Sequence, residues 1–219
     1  MHPNQSPYAE SRLIERRRQL AQDFLAPMPG EDGLGRELLA GLDAVPEQVI
    51  APQPAQPLSP EDVRLLSPAN FEALVAAMEE RHGARVLLTP HAGDGGIDVI
   101  AVQPHAIRLI QCKHTSGNTP VDAEVIAEVV AAFDGYRARW LTACSLQRPL
   151  RLVIVTNRDL TRQAQRAAAE HEMEVIAAKQ LRHALAATRC TYSDVLAQED
   201  RRLVSMRELP EALRSCFKP

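Results

Sequence analysis

Two apolar segments separated by only three residues constrain this chain more than any other feature. The segments IDVIAV (97–102) and AIRLIQCK (106–113) are rich in aliphatic residues, and only QPH joins them. Links this short favour antiparallel pairing, so the two segments are predicted to form a β-hairpin. The preceding segment ARVLLT (84–89) has the same character and is predicted to be a third strand of the same sheet.

Later in the chain the pattern changes from hairpins to alternating strands and helices. The segment RLVIVT (151–156) is a near-continuous apolar run, which is typical of a strand that is covered on both faces. A short fifth strand is predicted at MEVIAA (173–178). The element order is therefore α-β-β-β-α-β-α-β-α. This order predicts an α/β fold in which a mixed β-sheet is flanked by helices on both faces.

Capping signals mark the predicted starts of the helices. SPED (59–62) and SPAN (67–70) each combine an N-cap serine with proline at the first helical position. TPVD (119–122) is predicted to start a long helix in the same way, with an interruption near Gly135. Two shorter helices are predicted over the polar, alanine-rich segments TRQAQRAAAEHE (161–172) and KQLRHALA (179–186).

The chain divides into three predicted parts. Residues 1–58 are expected to be a helical appendage, with helices near 11–24 and 36–42, that ends in a proline-rich linker. Residues 59–190 are predicted to form the compact domain. Residues 191–219 are expected to be a helical tail, and the sequence indicates no chemical role for them.

Composition narrows the class of protein. A hydrophobic content of 45% and a charged content of 24% are typical of a globular chain. No apolar run approaches the roughly 20 residues that cross a bilayer, and the N-terminus lacks an apolar signal core. We therefore expect no membrane partner, a cytoplasmic location and four reduced cysteines. The net charge of −3 does not by itself indicate a nucleic-acid binder, so that function depends on where the basic residues lie.

The predicted hairpin brings polar residues together at one of its ends. Gln111 and Lys113 are two residues apart at the end of their strand, so their side chains share a face. Asp98 begins the neighbouring strand, and a hairpin pairs the start of one strand with the end of the next. The three side chains are therefore expected to be neighbours. Gly95 and Gly96, just before Asp98, would let a phosphate or a metal ion approach the backbone closely.

These residue types suit metal-dependent hydrolysis of a phosphodiester. Asp98 would bind a hard divalent cation through carboxylate oxygen, and Gln111 would be a neutral oxygen ligand or would position the water. Lys113 would orient the attacking water or help to deprotonate it, and would offset charge on the phosphorane. Glu72, on the helix that follows SPAN, would supply a second carboxylate. The same residues also have structural interpretations, as a turn cap, a strand end and an acid near a helix start.

The pattern resembles the PD-(D/E)xK nuclease superfamily and, within it, the Mrr-like restriction endonucleases. Three features carry the resemblance: Glu72 on a helix, the turn GDGGID (93–98), and QCK (111–113). TNRDLTRQA (156–164) also resembles the strand-to-helix segment of that family, and the likeness covers about residues 68–187.

This resemblance implies a restriction-endonuclease-like core with Asp98, Gln111, Lys113 and Glu72 as the catalytic set. The metal ligands would be Asp98, Gln111 and Glu72, and the cofactor would be Mg²⁺, with Mn²⁺ as a substitute. Gln111 replaces the acid of the wider superfamily, as is normal in the Mrr-like subfamily. The site therefore has fewer fixed negative charges, and metal affinity would depend more on Glu72 and on the substrate.

Five basic residues are candidates for contact with DNA. Arg158, Arg162 and Arg166 follow one another at intervals of four, and the last two share a helix face. Arg137 belongs to a second basic cluster beside aromatic residues, and His114 directly follows the QCK motif. Such groups could track phosphates, although a solvated helix face is the alternative interpretation.

The sequence is thus interpreted as a Mg²⁺-dependent endonuclease that acts on DNA, and the resemblance implies a role in defence against foreign or modified DNA. Because cleavage of both strands needs two active sites, a homodimer is expected, and residues 1–58 could bind a protein partner. Two alternatives remain. One is a repair nuclease selective for DNA structure, or an RNA nuclease, of the same fold. The other is a non-catalytic module that binds DNA or protein.

Overall fold

The computed structural model describes residues 56–93, 95–115, 117–141 and 148–217. The predictions made for residues 1–55 lie outside this part of the chain, and so does Asp94. From Pro57 onward the chain forms one compact unit. Its elements are α1 (Pro60–Leu65), α2 (Pro68–Arg81), β1 (Arg85–Leu88), β2 (Val99–Val102), β3 (Ile107–Lys113), α3 (Ala123–Tyr136), a π-helical turn (Arg137–Leu141), β4 (Leu150–Thr156), α4 (Arg162–Glu170), β5 (Glu174–Ile176), α5 (Ala178–Thr188), α6 (Tyr192–Glu199) and α7 (Leu209–Ser215).

The five strands form one mixed sheet in the order β1-β2-β3-β4-β5. The first three strands pair antiparallel, and β3, β4 and β5 pair parallel. In the central hairpin Val99 lies opposite Ile110, and the Asp98 amide donates a hydrogen bond to the Ile110 carbonyl at 2.9 Å. The predicted α/β architecture and the predicted hairpin are both confirmed.

Alternating strand residues face two separate apolar layers. On one face Val99 and Ile110 pack in the same cluster as Phe71 of α2. On the other face Ile100 packs with Ile126 of α3. Each buried large apolar side chain stabilises the fold by roughly 1.5–3 kcal/mol, and a shift of one residue would exchange the two faces. Core packing therefore fixes the register of the hairpin.

Strand β4 is covered on both faces, as its sequence predicts. Val153 and Val155 contribute to the α2 layer, and Leu152 and Ile154 contribute to the α3 layer. A parallel strand in this central position has no solvated face, which explains its unbroken apolar pattern.

The helix starts follow the capping signals with one exception. Ser59 caps α1 in a reciprocal capping box, and Ser67 caps α2. The start predicted at TPVD (119–122) is wrong, because α3 begins at Ala123 with Asp122 as its N-cap. Val121 forms a parallel bridge with Leu160, which keeps this stretch extended until Asp122. Near the predicted interruption, α3 changes into a π-helical turn, a form that is often found at functional positions.

The C-terminal segment packs against the core through both of its helices. Val195 of α6 is buried in the α2 layer, and Leu209 and Leu213 of α7 are buried in the α3 layer. Between the two helices, the Leu203 amide donates a hydrogen bond to the Leu88 carbonyl of β1 at 3.0 Å. This connection carries Arg202 to the end of the sheet where β2 begins. No helix within the described ranges has the length and apolar character needed to cross a bilayer.

Candidate active site

Asp98 and Gln111 are in direct contact at the start of β2 and the end of β3. The Gln111 side-chain amide donates to Asp98 Oδ2 at 2.7 Å, and the Cys112 backbone amide donates to the same oxygen at 2.6 Å. Both side chains are buried, with 6% of Asp98 and 9% of Gln111 exposed. Two donors hold the carboxylate in one orientation, and Gln111 keeps its Oε1 as an acceptor, which is the atom a cation would use.

The glycine-rich turn before Asp98 packs against α3. Gly95 and Gly96 have φ angles of +73° and +84°, a backbone region that other residues adopt only with strain. A Cβ atom on Gly96 would lie 2.8 Å from the Ala132 Cβ and 3.5 Å from Gln111 Oε1. A Cβ atom on Gly95 would lie 3.3 Å from the Tyr136 ring. The close approach that glycine permits here is therefore to a helix and to the Gln111 amide.

Lys113 ends β3 with a partly exposed side chain. In the parallel register it lies opposite Thr156, the last residue of β4. Within the described ranges its ammonium group forms no hydrogen bond or ion pair. A cation at a strand end without an internal partner is available to a phosphate or a water molecule.

Glu72 reaches this end of the sheet from α2. Its Oε2 accepts a hydrogen bond from Arg202 Nη1 at 2.9 Å, and its side chain is 19% exposed. Burial raises the pKa of Glu72, and the positive charge of Arg202 opposes that effect. The carboxylate is thus half-buried and ion-paired to the C-terminal segment.

The negative charges of both carboxylates act on Cys112, whose backbone amide bonds Asp98. Burial raises the pKa of the Cys112 thiol well above its ordinary range, and the negative charges of Asp98 and Glu72 raise it further. The thiol therefore stays protonated at neutral pH and is a poor nucleophile. Cys112 packs inward, in the apolar layer that contains Phe71 of α2.

The donor set fits a hard cation. In the described part of the chain, no three His, Cys, Asp or Glu side chains come together as a metal cluster. The available ligands are oxygens: the Asp98 and Glu72 carboxylates and the Gln111 amide. Mg²⁺ prefers oxygen, and it commonly binds through one or two carboxylates while it keeps several waters. The set is compatible with such an ion and incompatible with a closed structural zinc site.

His114 and Arg158, two of the candidate DNA-binding residues, bond to the backbone and side chains of the domain. His114 Nε2 lies 2.9 Å from the Val63 carbonyl, and its ring packs against Phe71 with 5.0 Å between centroids. Arg158 donates to the Thr115 carbonyl at 2.9 Å and to Asn118 Oδ1 at 3.2 Å. Both residues therefore hold the loop that follows β3.

The other three candidates are exposed. Arg162 and Arg166 lie on the first two turns of α4, which begins just after the carboxyl end of β4. Arg137 directly follows Tyr136, whose ring lies against Gly95 of the turn before Asp98. Arg162 and Arg166 thus lie on the helix that follows the carboxyl end of β4, whereas Arg137 lines a cavity with Leu150 and Arg151 at the start of β4, the opposite end of that strand from Lys113.

Sequence reasoning missed the residues that hold this site in place. Arg202 binds Glu72, and Glu199 binds Arg202. In the loop after β3, the Asn157 side chain forms two hydrogen bonds with the backbone of Thr115. It accepts from the Thr115 amide at 3.1 Å and donates to the Thr115 carbonyl at 2.8 Å. No local pattern distinguishes Arg202 from its neighbour Arg201 in the run EDRRL, because the distinction comes from burial.

Known proteins resemble this chain at two levels. Among solved structures it is similar to the protein of unknown function AF1548, with 15% identity over 68% of this chain and 96% of that chain and a TM-score of 0.44. It is similar to the MspJI restriction endonuclease in complex with a 27-mer oligonucleotide, with 22% identity, 76% and 38% coverage and a TM-score of 0.41. It is also similar to the DNA modification-dependent restriction endonuclease AspBHI, with 21% identity, 79% and 49% coverage and a TM-score of 0.39.

The chain thus spans less than half the length of those two restriction endonucleases. No curated protein matches it. A family model, Mrr_cat, described as a restriction endonuclease, matches residues 63–185, which is more than half of the 219 residues and includes the α2 carboxylate, the glycine-rich turn and the QCK strand. The chain therefore belongs to the Mrr_cat restriction endonuclease family, and its folded unit contains a nuclease domain of that family.

Proposed function

We propose that this nuclease domain hydrolyses phosphodiester bonds of DNA as an endonuclease with Mg²⁺ as its cofactor and Mn²⁺ as a substitute. One observation carries the proposal. The Gln111 amide and the Asp98 carboxylate are 2.7 Å apart in a buried position, two residues before a lysine that has no internal partner in the described ranges. A buried carboxylate, an amide oxygen and the ammonium group of a lysine are together the side-chain groups that metal-dependent phosphodiester hydrolysis uses.

Each side chain has a separate role in this proposal. Asp98, Glu72 and Gln111 would hold the divalent cation through oxygen, and the chemistry it would supply there is polarisation of the scissile phosphate. Gln111 also keeps the Asp98 carboxylate in one orientation through its amide N–H. Lys113 donates a hydrogen bond to the attacking water or to a phosphate oxygen, which favours the negative charge that grows as the new P–O bond forms.

DNA would be bound by the exposed arginines. Arg162, Arg166 and Arg137 are the proposed phosphate contacts, because all three residues are exposed. Arg162 and Arg166 follow the carboxyl end of β4, and Arg137, beside the start of β4, would contact phosphates farther from the site. Arg158 and His114 would act mainly by shaping the loop after β3, because their polar atoms have partners in the domain. Affinity that rests on phosphate contacts should fall as the salt concentration rises.

Assembly and biological role extend this proposal. A homodimer would supply the two active sites needed to cut both strands, and residues 1–58 would serve assembly or bind a protein partner. Defence against foreign or modified DNA in the cytoplasm is the role that we propose. A site that reads no base directly would depend on another part of the protein, or on a partner, for specificity.

Plasmid cleavage tests the proposed activity. Purified protein is incubated with methylated or unmethylated supercoiled plasmid in the presence of Mg²⁺, Mn²⁺ or EDTA. Cleavage is expected with either metal and not with EDTA, and Lys113→Ala should reduce its rate by at least about 100-fold. Lys179→Ala is a matched control, because Lys179 is an exposed lysine on α5 and should be dispensable.

The outcomes separate the alternatives. Undiminished cleavage by Lys113→Ala, or cleavage that persists in EDTA, contradicts the proposed chemistry. Metal-dependent cleavage that is restricted to flaps, junctions or RNA supports a different nuclease of the same fold. DNA binding without cleavage under every condition supports a non-catalytic module.

A further inference from the structure

Arg202 is the most extensively bonded charged side chain near the candidate site. It lies between α6 and α7, outside the residues that the family model matches. Its side chain is only 5% exposed, and each of its three nitrogens donates a hydrogen bond. The partners are Glu72 Oε2 at 2.9 Å, the Thr89 carbonyl at 2.8 Å, the Ala69 carbonyl at 3.3 Å, and Glu199 at 2.6 Å and 3.1 Å.

The Thr89 contact connects this arginine to Asp98, a second proposed metal ligand. The Thr89 amide donates to the Asp98 carbonyl at 3.0 Å. The Thr89 hydroxyl lies 2.7 Å from the Ile97 carbonyl and 2.9 Å from the Asp98 carbonyl. One guanidinium group therefore bonds the Glu72 carboxylate and, through Thr89, the backbone that carries Asp98.

The bonding pattern leaves Glu72 able to act as a ligand. Arg202 bonds only Oε2 of Glu72, and Oε1 has no hydrogen-bond partner within the described ranges. Glu199 binds the other edge of the guanidinium through two hydrogen bonds. Two carboxylates against one guanidinium leave the group one negative charge, so a divalent cation is still attracted to it.

We propose that Arg202 is a positioning residue that fixes the distance between the Glu72 and Asp98 carboxylates and so prepares the oxygen site for a divalent cation. This inference rests on the proposed metal-dependent function. The opposite role, in which Arg202 competes with the cation for Glu72, predicts the opposite effect on metal affinity. The two roles can therefore be distinguished by the sign of one measurement.

The test compares Mn²⁺ binding by the full chain and its Arg202→Lys variant in the absence of DNA. Bound Mn²⁺ is quantified from the loss of the electron paramagnetic resonance signal of the free ion. Lysine keeps the charge and loses the planar, multiple bonding, so the affinity for Mn²⁺ should fall about tenfold, as is typical when a residue that orients a ligand is replaced. The Mg²⁺ concentration for half-maximal cleavage should rise by a similar factor, and the maximal rate should largely recover at high Mg²⁺.

Arg201→Lys is the matched control. Arg201 is the neighbouring residue and pairs with Glu80 on the surface, where its side chain is 55% exposed. This variant should bind Mn²⁺ as the wild type does. If Arg202→Lys fails to fold, Glu199→Gln replaces it, because that change loosens Arg202 and leaves it beside Glu72. Glu199→Gln should weaken Mn²⁺ binding in the same direction.

The possible results separate this inference from the proposed function. If the wild type cleaves DNA with metal and Arg202→Lys binds Mn²⁺ as tightly as the wild type, only the positioning role is overturned. If the variant binds Mn²⁺ more tightly, Arg202 is a competitor and the positioning role is again overturned. If the wild type neither binds Mn²⁺ nor cleaves, the proposed function fails and the role of Arg202 fails with it.

Discussion

Helix α2 contributes to two clusters of the same composition, each made of one arginine between two glutamates. Near its start Glu72 is paired with Arg202, which also binds Glu199. About two turns later Glu79 is paired with Arg108, which also binds Glu174. Burial raises the pKa of both α2 glutamates. The two clusters differ in how completely their atoms are bonded.

The Glu79 cluster is bonded at both carboxylate oxygens. Oε1 accepts from Arg108 Nη1 at 2.5 Å, and Oε2 accepts from the Gln103 amide at 3.4 Å. In the Glu72 cluster all three nitrogens of Arg202 donate hydrogen bonds, but one oxygen of Glu72 has no partner among the described residues. The Glu72 ion pair thus leaves one carboxylate oxygen without a hydrogen bond among the described residues, whereas the Glu79 ion pair uses both oxygens to link α2 to the sheet.

Exchanging each glutamate for glutamine should separate activity from stability. Glu79→Gln leaves the buried Arg108 with only Glu174, whose side chain is 48% exposed and therefore a weaker partner than the 20% exposed Glu199 is for Arg202, and should lower the free energy of unfolding by about 3 kcal/mol. Glu72→Gln should cost less stability, because Glu199 still neutralises Arg202, and should lower the cleavage rate about 100-fold. Urea denaturation and plasmid cleavage measure the two effects. Equal loss of activity per folded molecule in both variants would remove the distinction between the clusters.

Two glycines near opposite ends of α2 allow the backbone at the two ends to be compared by substitution. Gly96 lies in the turn at the Glu72 end, and Gly83 follows α2 beyond Glu79; both have φ near +85°. Gly96→Ala adds a contact of 2.8 Å with Ala132 to the backbone strain, and should cost about 2–3 kcal/mol. Gly83→Ala meets no atom within 4 Å and should cost only about 1 kcal/mol. Thermal unfolding provides the measurement, and equal losses would indicate that the turn can move away from α3.

A partly exposed carboxylate at the Glu79 end should give the smallest effect. Burial opposes the ionisation of Asp194, but hydrogen bonds from Thr191 and Arg81 outweigh it and lower the pKa of Asp194. Its contribution to stability is therefore present at neutral pH and is lost as the pH falls below about 4. Asp194→Ala should cost about 1 kcal/mol at pH 7, mainly through the lost capping box. The difference from wild type should shrink as the pH falls through the lowered pKa of Asp194, and a difference that is constant with pH would contradict the assignment.

The sequence alone predicted the sheet and its surrounding helices, because these depend on short-range pattern. The three-residue link after Val102 allowed only a hairpin, and the apolar run ending at Thr156 indicated a strand covered on both faces. The same alternation placed Asp98 beside Gln111, and the structure gives that contact a length of 2.7 Å. The start of α3 was misplaced because a bridge between Val121 and Leu160, distant in sequence, competes with the local capping signal.

The roles of the arginines were decided by tertiary structure. Arg158 and Arg162 have the same chemistry and are four residues apart, yet one braces the loop after β3 and the other faces solvent. Arg201 and Arg202 are adjacent, yet the first has an exposed side chain and the second is buried against Glu72. A side chain at the end of a flexible stem takes its role from partners that can be more than a hundred residues away.

The sequence by itself determined which strand residues face each side of the sheet, which segments pair, and which types of oxygen donor lie at the end of the hairpin. It did so because the period of a strand and the length of a link act over a few residues. Tertiary structure decided which oxygens stay available, because that depends on burial and on hydrogen bonds from distant segments such as the one that carries Arg202.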